Sequence, residues 1–112
     1  MDVSAQLIEL LGGARVHTHP IDRMIYAKDS GVTAGDPSIV ALPETTAEVA
    51  AIVRIAAESG MPVVARGAGT GLAGGAVPCP GSLLVVLTRM DEIFEVDEIG
   101  RTAWVGPGLI NL

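Results

Sequence analysis

Pro62-Val63-Val64-Ala65-Arg66-Gly67-Ala68-Gly69-Thr70-Gly71-Leu72-Ala73-Gly74-Gly75-Ala76 is the stretch around which the rest of the chain is arranged. Residues 62–65 are a short apolar run suited to a buried strand. Arg66 follows, and then Gly67, Gly69, Gly71, Gly74 and Gly75 crowd into nine positions. Without Cβ atoms, such a loop can lie against a ligand at backbone distance, and its successive N–H groups can converge on an anion. Arg66 adds a permanent positive charge with a planar fork of donors. A strand that ends in this loop is a place for phosphate or pyrophosphate.

Two familiar phosphate loops do not fit. A P-loop requires Lys and then Ser or Thr after its last glycine, whereas Gly74 is followed by Gly75 and Ala76. Gly69, Gly71 and Gly74 match the spacing of the dinucleotide fingerprint, but that fingerprint must open a helix. Here Pro78 and Pro80 stand where the helix would run, and an interior proline costs ~3 kcal/mol.

Upstream, residues 38–42 (Ser-Ile-Val-Ala-Leu) lie between Pro37 and Pro43 and read as a buried strand. Thr45 stands three residues before Glu48, a capping box. Val49, Ile52, Val53 and Ala56 then form a stripe at helical spacing, and Gly60 and Pro62 stop it, so a helix is predicted over 46–59. Residues 38–65 thus read as strand, helix, strand, a right-handed βαβ unit if the strands are parallel neighbours. The glycine loop would then leave the carboxyl end of its second strand, the edge where α/β sheets collect ligands.

Nearer the start, Leu7, Leu10 and Leu11 share one face of a short helix that Asp2 or Ser4 can cap and Gly12-Gly13 can end. His17 and His19 lack the acidic or Cys neighbours that would complete a metal set, and they read as solvated loop residues. Residues 21–29 suit a short helix and turn. Beyond the loop, residues 82–87 (Ser-Leu-Leu-Val-Val-Leu) are a further buried strand. Residues 93–96 and 102–105 read as a hairpin in which Gly100 takes the positive-φ turn position. The acidic run Asp91, Glu92, Glu95, Asp97 and Glu98 reads as its solvated face.

The chain's 112 residues suit one small domain, and 49% hydrophobic content is enough for one core. A net charge of −6 argues against a nucleic-acid partner, and no basic cluster suits anionic lipid. Cys79 is the single cysteine, which points to a reducing, cytoplasmic compartment. No basic n-region or long apolar run marks a signal peptide or a transmembrane segment. The apolar close of the chain, Gly106-Pro107-Gly108-Leu109-Ile110-Asn111-Leu112, reads as a cut in mid-domain.

The run from Arg66 through Gly74, Gly75 and Ala76 resembles the pyrophosphate loop of the FAD-linked oxidases of the vanillyl-alcohol oxidase / p-cresol methylhydroxylase superfamily. Its wording is closest to the branch of the glycolate oxidase FAD subunit and D-lactate dehydrogenase. Val40-Ala41-Leu42-Pro43, Leu87-Thr88-Arg89-Met90 and Val105-Gly106-Pro107-Gly108 extend the resemblance in family order. It implies an α+β fold: the first, incomplete part of an FAD-binding PCMH-type domain over 37–112, preceded by an N-terminal helical arm over 1–36, whose Asp29-Ser30 segment has a counterpart in the family and is expected to be a docking arm, not a site. It implies FAD held by Pro43, Arg66, Gly67, Ala68, Gly69, Thr70, Gly71, Leu72, Gly74 and Gly75. Covalent members carry His where this chain has Thr70, so the FAD is expected to be non-covalent. The implied reaction is hydride transfer from a small 2-hydroxy acid, glycolate or D-lactate, to flavin, with other oxidase subunits as partners. No residue of this chain is expected to be catalytic, because the regions that would face the flavin ring and substrate lie outside it. The alternative is a non-catalytic module that binds a nucleotide or another protein.

Overall fold

The computed structural model describes residues 2–111. Helix α1 (Val3–Leu11) starts at Asp2, whose carboxylate accepts the N–H of Ala5 at 2.7 Å, and it buries Leu7 and Leu11. A 3₁₀ turn (Gly13–Arg15) leads into the short strand β1 (Val16–His17) and the one-and-a-half-turn helix α2 (Pro20–Ile25). Then come β2 (Pro37–Ala41), α3 (Thr46–Glu58), β3 (Val63–Arg66), β4 (Ser82–Val86), β5 (Ile93–Asp97) and β6 (Thr102–Val105). No described helix is long and apolar enough to cross a membrane.

The first four strands form one sheet in the order β1-β2-β4-β3. Strands β2, β4 and β3 run parallel, and β1 is antiparallel to β2. The two strands flanking α3 are therefore parallel but not neighbours, because β4 lies between them. The reason is burial. All five residues of β4 are buried, as a strand flanked by partners and covered on both faces requires, whereas Val63 of β3 is 40% exposed at the sheet edge.

Side chains alternate across this sheet with the period of two that strands impose. Ile39, Ala41, Leu83 and Val85 pack with Leu7 and Leu11 of α1 and with Ile52 and Ala56 of α3. Val40, Leu42, Leu84 and Val86 form a second cluster on the other face, joined by Tyr26 and Val64. The N-terminal arm thus contributes to both sides of the core.

Helix α3 begins as its sequence indicates, with Thr45 Oγ1 accepting the N–H of Glu48 at 3.1 Å. The Glu48 carboxylate reaches one residue further back than a capping box prescribes and accepts the N–H of Glu44 at 2.7 Å. It also takes a two-pronged contact from Arg15, at 2.9 and 3.0 Å, which ties the arm to the helix start. The Arg15 guanidinium holds the Glu48 carboxyl down at about 2, assisted by the Glu44 N–H. A carboxyl lowered on folding stabilises above its unfolded value near 4.5 and loses that contribution as pH falls toward 2. The Glu48 side chain is 21% exposed, so solvent screening reduces the expected effect to about 1–2 kcal/mol. Thermal unfolding should show Glu48→Gln destabilised at pH 7 but close to wild type near pH 2. An equal deficit at both pH values would remove this pair as the cause.

Strands β5 and β6 form a separate two-stranded antiparallel hairpin. Its turn departs from the sequence-based expectation at Gly100. The positive φ, 54°, falls on Arg101. The Gly100 N–H donates to Asp97 Oδ1 at 2.9 Å, and an added Cβ would press on that same carboxylate.

Candidate functional site

The three parallel strands end along one edge of the sheet, and the glycine loop leaves that edge from Arg66. Arg66 is turned onto the protein. Its Nη1 donates to the Lys28 carbonyl at 2.7 Å, its Nη2 to the Ala68 carbonyl at 3.5 Å, and its guanidinium carbon lies 5.6 Å from the centre of the Tyr26 ring. The arginine read from sequence as an open fork is thus first a brace for the loop's base. Gly69 makes this possible. Its φ is +76°, and a Cβ there would fall within the Arg66 guanidinium.

The arm residues Lys28, Asp29, Ser30 and Gly31 lie along the inner side of the loop. Asp29 is buried; its Oδ1 accepts the N–H of Gly31 at 2.7 Å and its Oδ2 that of Gly74 at 2.9 Å. Ser30 donates its N–H to the Gly71 carbonyl at 3.0 Å and its hydroxyl to the Gly69 carbonyl at 3.3 Å. The carbonyls of Ala68, Gly69 and Gly71 are therefore all engaged. In contrast, no backbone N–H of residues 67–73 donates to an acceptor among the described residues. A loop with its acceptors tied down and its donors free is suited to an anion.

Three glycines of the loop, Gly67, Gly71 and Gly75, are sterically unconstrained by the protein. They have ordinary φ values, and an added Cβ at any of them meets no described atom within 4 Å. Neither backbone strain nor protein packing calls for glycine there. These positions leave the loop backbone open to close approach from outside.

The loop faces a cleft of about 270 Å³ lined by Gly67, Ala68 and Thr70 on one side and by residues 107–111 on the other. That second wall is held in place because Gly108 donates to the Met90 carbonyl at 2.9 Å and Gly106 to that of Glu92 at 2.7 Å. A larger cleft, about 600 Å³, lies across Pro107 between Glu44, Thr45 and Thr46 and the segment around Arg89 and Phe94. Its lining carries Glu44, Asp91 and Glu92 against one arginine, and Arg89 is already paired with Glu44 at 3.1 Å. Those carboxylates oppose an anion, so the smaller cleft is the better anion site despite its size.

The remaining sequence-derived candidates divide. Thr70 and Leu72 are exposed on the loop, Leu72 at 76%, and Gly74 and Gly75 lie at its far end, where Gly74 is tied to Asp29. Pro43 is the exception. It is fully buried and follows β2, two strand spacings (about 10 Å) from the strand that launches the loop. His17 and His19 are not idle loop residues. His17 sits in β1, half-buried, its ring stacked at 6.4 Å on Tyr26, and His19 caps α2 by accepting the Ile21 N–H at 3.3 Å. Cys79 is free and exposed. Asp29 and Ser30 are the residues that sequence reasoning undervalued: their side chains alone do not disclose that they reach the loop 39 to 45 positions later.

Residues 37–111 match the family described as FAD binding domain. The chain is 37% identical over 112 residues to the glycolate oxidase subunit GlcD of Bacillus subtilis (strain 168), covering 99% of this chain and 24% of that protein. It is 41% identical over 76 residues to the D-lactate dehydrogenase of Archaeoglobus fulgidus, covering 68% of this chain and 17% of that one. Among solved structures, p-cresol methylhydroxylase with substrate bound superposes with a TM-score of 0.85 at 26% identity, over 96% of this chain and 22% of that one. The chain thus spans about a quarter, or less, of these relatives' length.

Proposed function

The chain belongs to the FAD binding domain family, and on that premise we propose that it supplies the pyrophosphate-binding part of an FAD-dependent oxidoreductase acting on a small 2-hydroxy acid. The observation that carries the reading is the polarity of the loop: free N–H groups over residues 67–73, with the Ala68, Gly69 and Gly71 carbonyls held from within. Gly67, Ala68, Gly69, Thr70, Gly71 and Leu72 would hold the pyrophosphate, with the 270 Å³ cleft beside them. Arg66 would contribute its charge at the loop's base while keeping the loop folded. Thr70 offers no imidazole for attachment, which supports a dissociable FAD.

FAD supplies the redox chemistry in such a protein, and this chain's residues bind and orient it. The substrate class rests on relatives whose names include glycolate oxidase, D-lactate dehydrogenase and D-2-hydroxyglutarate dehydrogenase. The naming of one relative as a subunit supports further oxidase subunits as partners, and the single free cysteine suits a cytoplasmic setting.

The test is an assay of the full-length protein with an artificial electron acceptor against glycolate, D-lactate and D-2-hydroxyglutarate. Flavin reduction by at least one of them is expected. A protein that holds FAD but is reduced by none of these acids would overturn the substrate class.

A further inference from the structure

We propose that Asp29 and Ser30 are positioning residues for the cofactor's pyrophosphate. They are bound to the loop from behind and so decide which of its polar groups face the ligand. The inference rests on the FAD reading above and deepens it.

A flexible glycine run has no intrinsic reason to show an anion only donors. Each peptide unit carries one N–H and one C=O, and rotation of a unit exchanges them. Here the exchange is blocked at named points. The Ser30 N–H and hydroxyl hold the Gly71 and Gly69 carbonyls, at 3.0 and 3.3 Å. Asp29 Oδ2 holds the Gly74 N–H at 2.9 Å, which anchors the loop's far end. Asp29 Oδ1 closes a local turn by accepting the Gly31 N–H at 2.7 Å, and this presents Ser30 to the loop. Gly31 is fitted to the same task, since a Cβ there would lie 2.9 Å from Asp29 Oδ1 and 3.2 Å from the Leu72 carbonyl.

A carboxylate behind an anion site brings no Coulombic benefit, so the role assigned to Asp29 is geometric. It shows as ligand selectivity. Loss of the anchor should weaken ligands that carry a pyrophosphate and spare those that do not.

The experiment uses the full-length apoprotein with wild-type, Asp29→Ala, Asp29→Asn and Ser30→Ala sequences. FAD binding is followed by flavin fluorescence, with ADP and adenosine as competitors, and amide exchange is measured at Gly31 and Gly74. Asp29→Ala should weaken FAD and ADP about 10- to 100-fold and adenosine less than about 2-fold, because charge-assisted amide contacts are lost. Asp29→Asn, which keeps one acceptor, should fall between wild type and Ala. Gly74 should exchange faster in Asp29→Ala while sheet amides are unchanged. Unchanged FAD affinity, or equal losses for ADP and adenosine, would overturn the proposal. If Asp29→Ala does not fold, Ser30→Ala decides by the same ADP-to-adenosine comparison. A wild-type protein that binds no FAD would sink the cofactor reading, whereas unchanged Gly74 exchange in Asp29→Ala would sink the anchor itself.

Discussion

Replacing Gly67 by Val is expected to remove flavin from a protein that still folds. An added side chain at Gly67 meets nothing in the protein, and its φ is one that any residue adopts, so the substitution has little to disturb in the apo state. In the holoprotein it would stand in the 270 Å³ cleft, where the proposed pyrophosphate lies against the backbone. Loss of more than about 100-fold in FAD affinity is expected, since both the contact distance and the donor geometry are spoiled. Gly71→Val should behave alike. Gly69→Val is a poorer probe, because its positive φ and the Arg66 guanidinium would strain the loop itself. The check is flavin content after desalting, beside circular dichroism and thermal unfolding of the apoprotein. Full flavin retention in Gly67→Val would contradict the assignment of the loop.

The second large effect concerns association. The 112-residue chain by itself is expected to self-associate through the β5–β6 hairpin and to give no hydroxy-acid-dependent dye reduction. Phe94, Val96 and Trp104 are 64%, 63% and 72% exposed, and Ile99 at the turn is 98% exposed. Uncovered apolar surface on a two-stranded ribbon with open edges favours pairing with another copy. Sedimentation should therefore show species above the monomer, and Phe94→Glu with Trp104→Glu should shift most of the material to monomer. A wild-type chain that stays monomeric at high concentration, or turns over D-lactate or glycolate, would refute this expectation.

Local signals in the sequence proved readable. The Thr45 cap, the stripe through Ile52 and Ala56, and the apolar run of β4 each depend on residues a few positions apart, and each forms as its pattern indicates. The glycine loop was legible for the same reason, as an arrangement written in consecutive residues. Strand order was not, because which strand lies at the centre depends on partners far along the chain. The five buried residues of β4 were the available clue, since a continuous apolar run favours burial on both faces. Arg66 was legible as a charge but not as a brace, because its partners Lys28 and Tyr26 lie in the arm. Pro43 entered the site by resemblance alone; it is fully buried and lies two strands from the loop. Asp29 and Ser30 were expected as a docking arm and not as part of the site, because a carboxylate that anchors a loop looks, in sequence, like any turn residue.

A crystal structure of the full-length holoprotein with FAD decides where the pyrophosphate sits. The pyrophosphate oxygens are predicted to lie within about 2.7–3.2 Å of backbone nitrogens in the loop of residues 67–72, with Arg66 still bonded to the Lys28 carbonyl. A pyrophosphate seated instead in the larger cleft between Glu44 and Arg89, with the loop amides unbonded to it, would rule out the loop as its site.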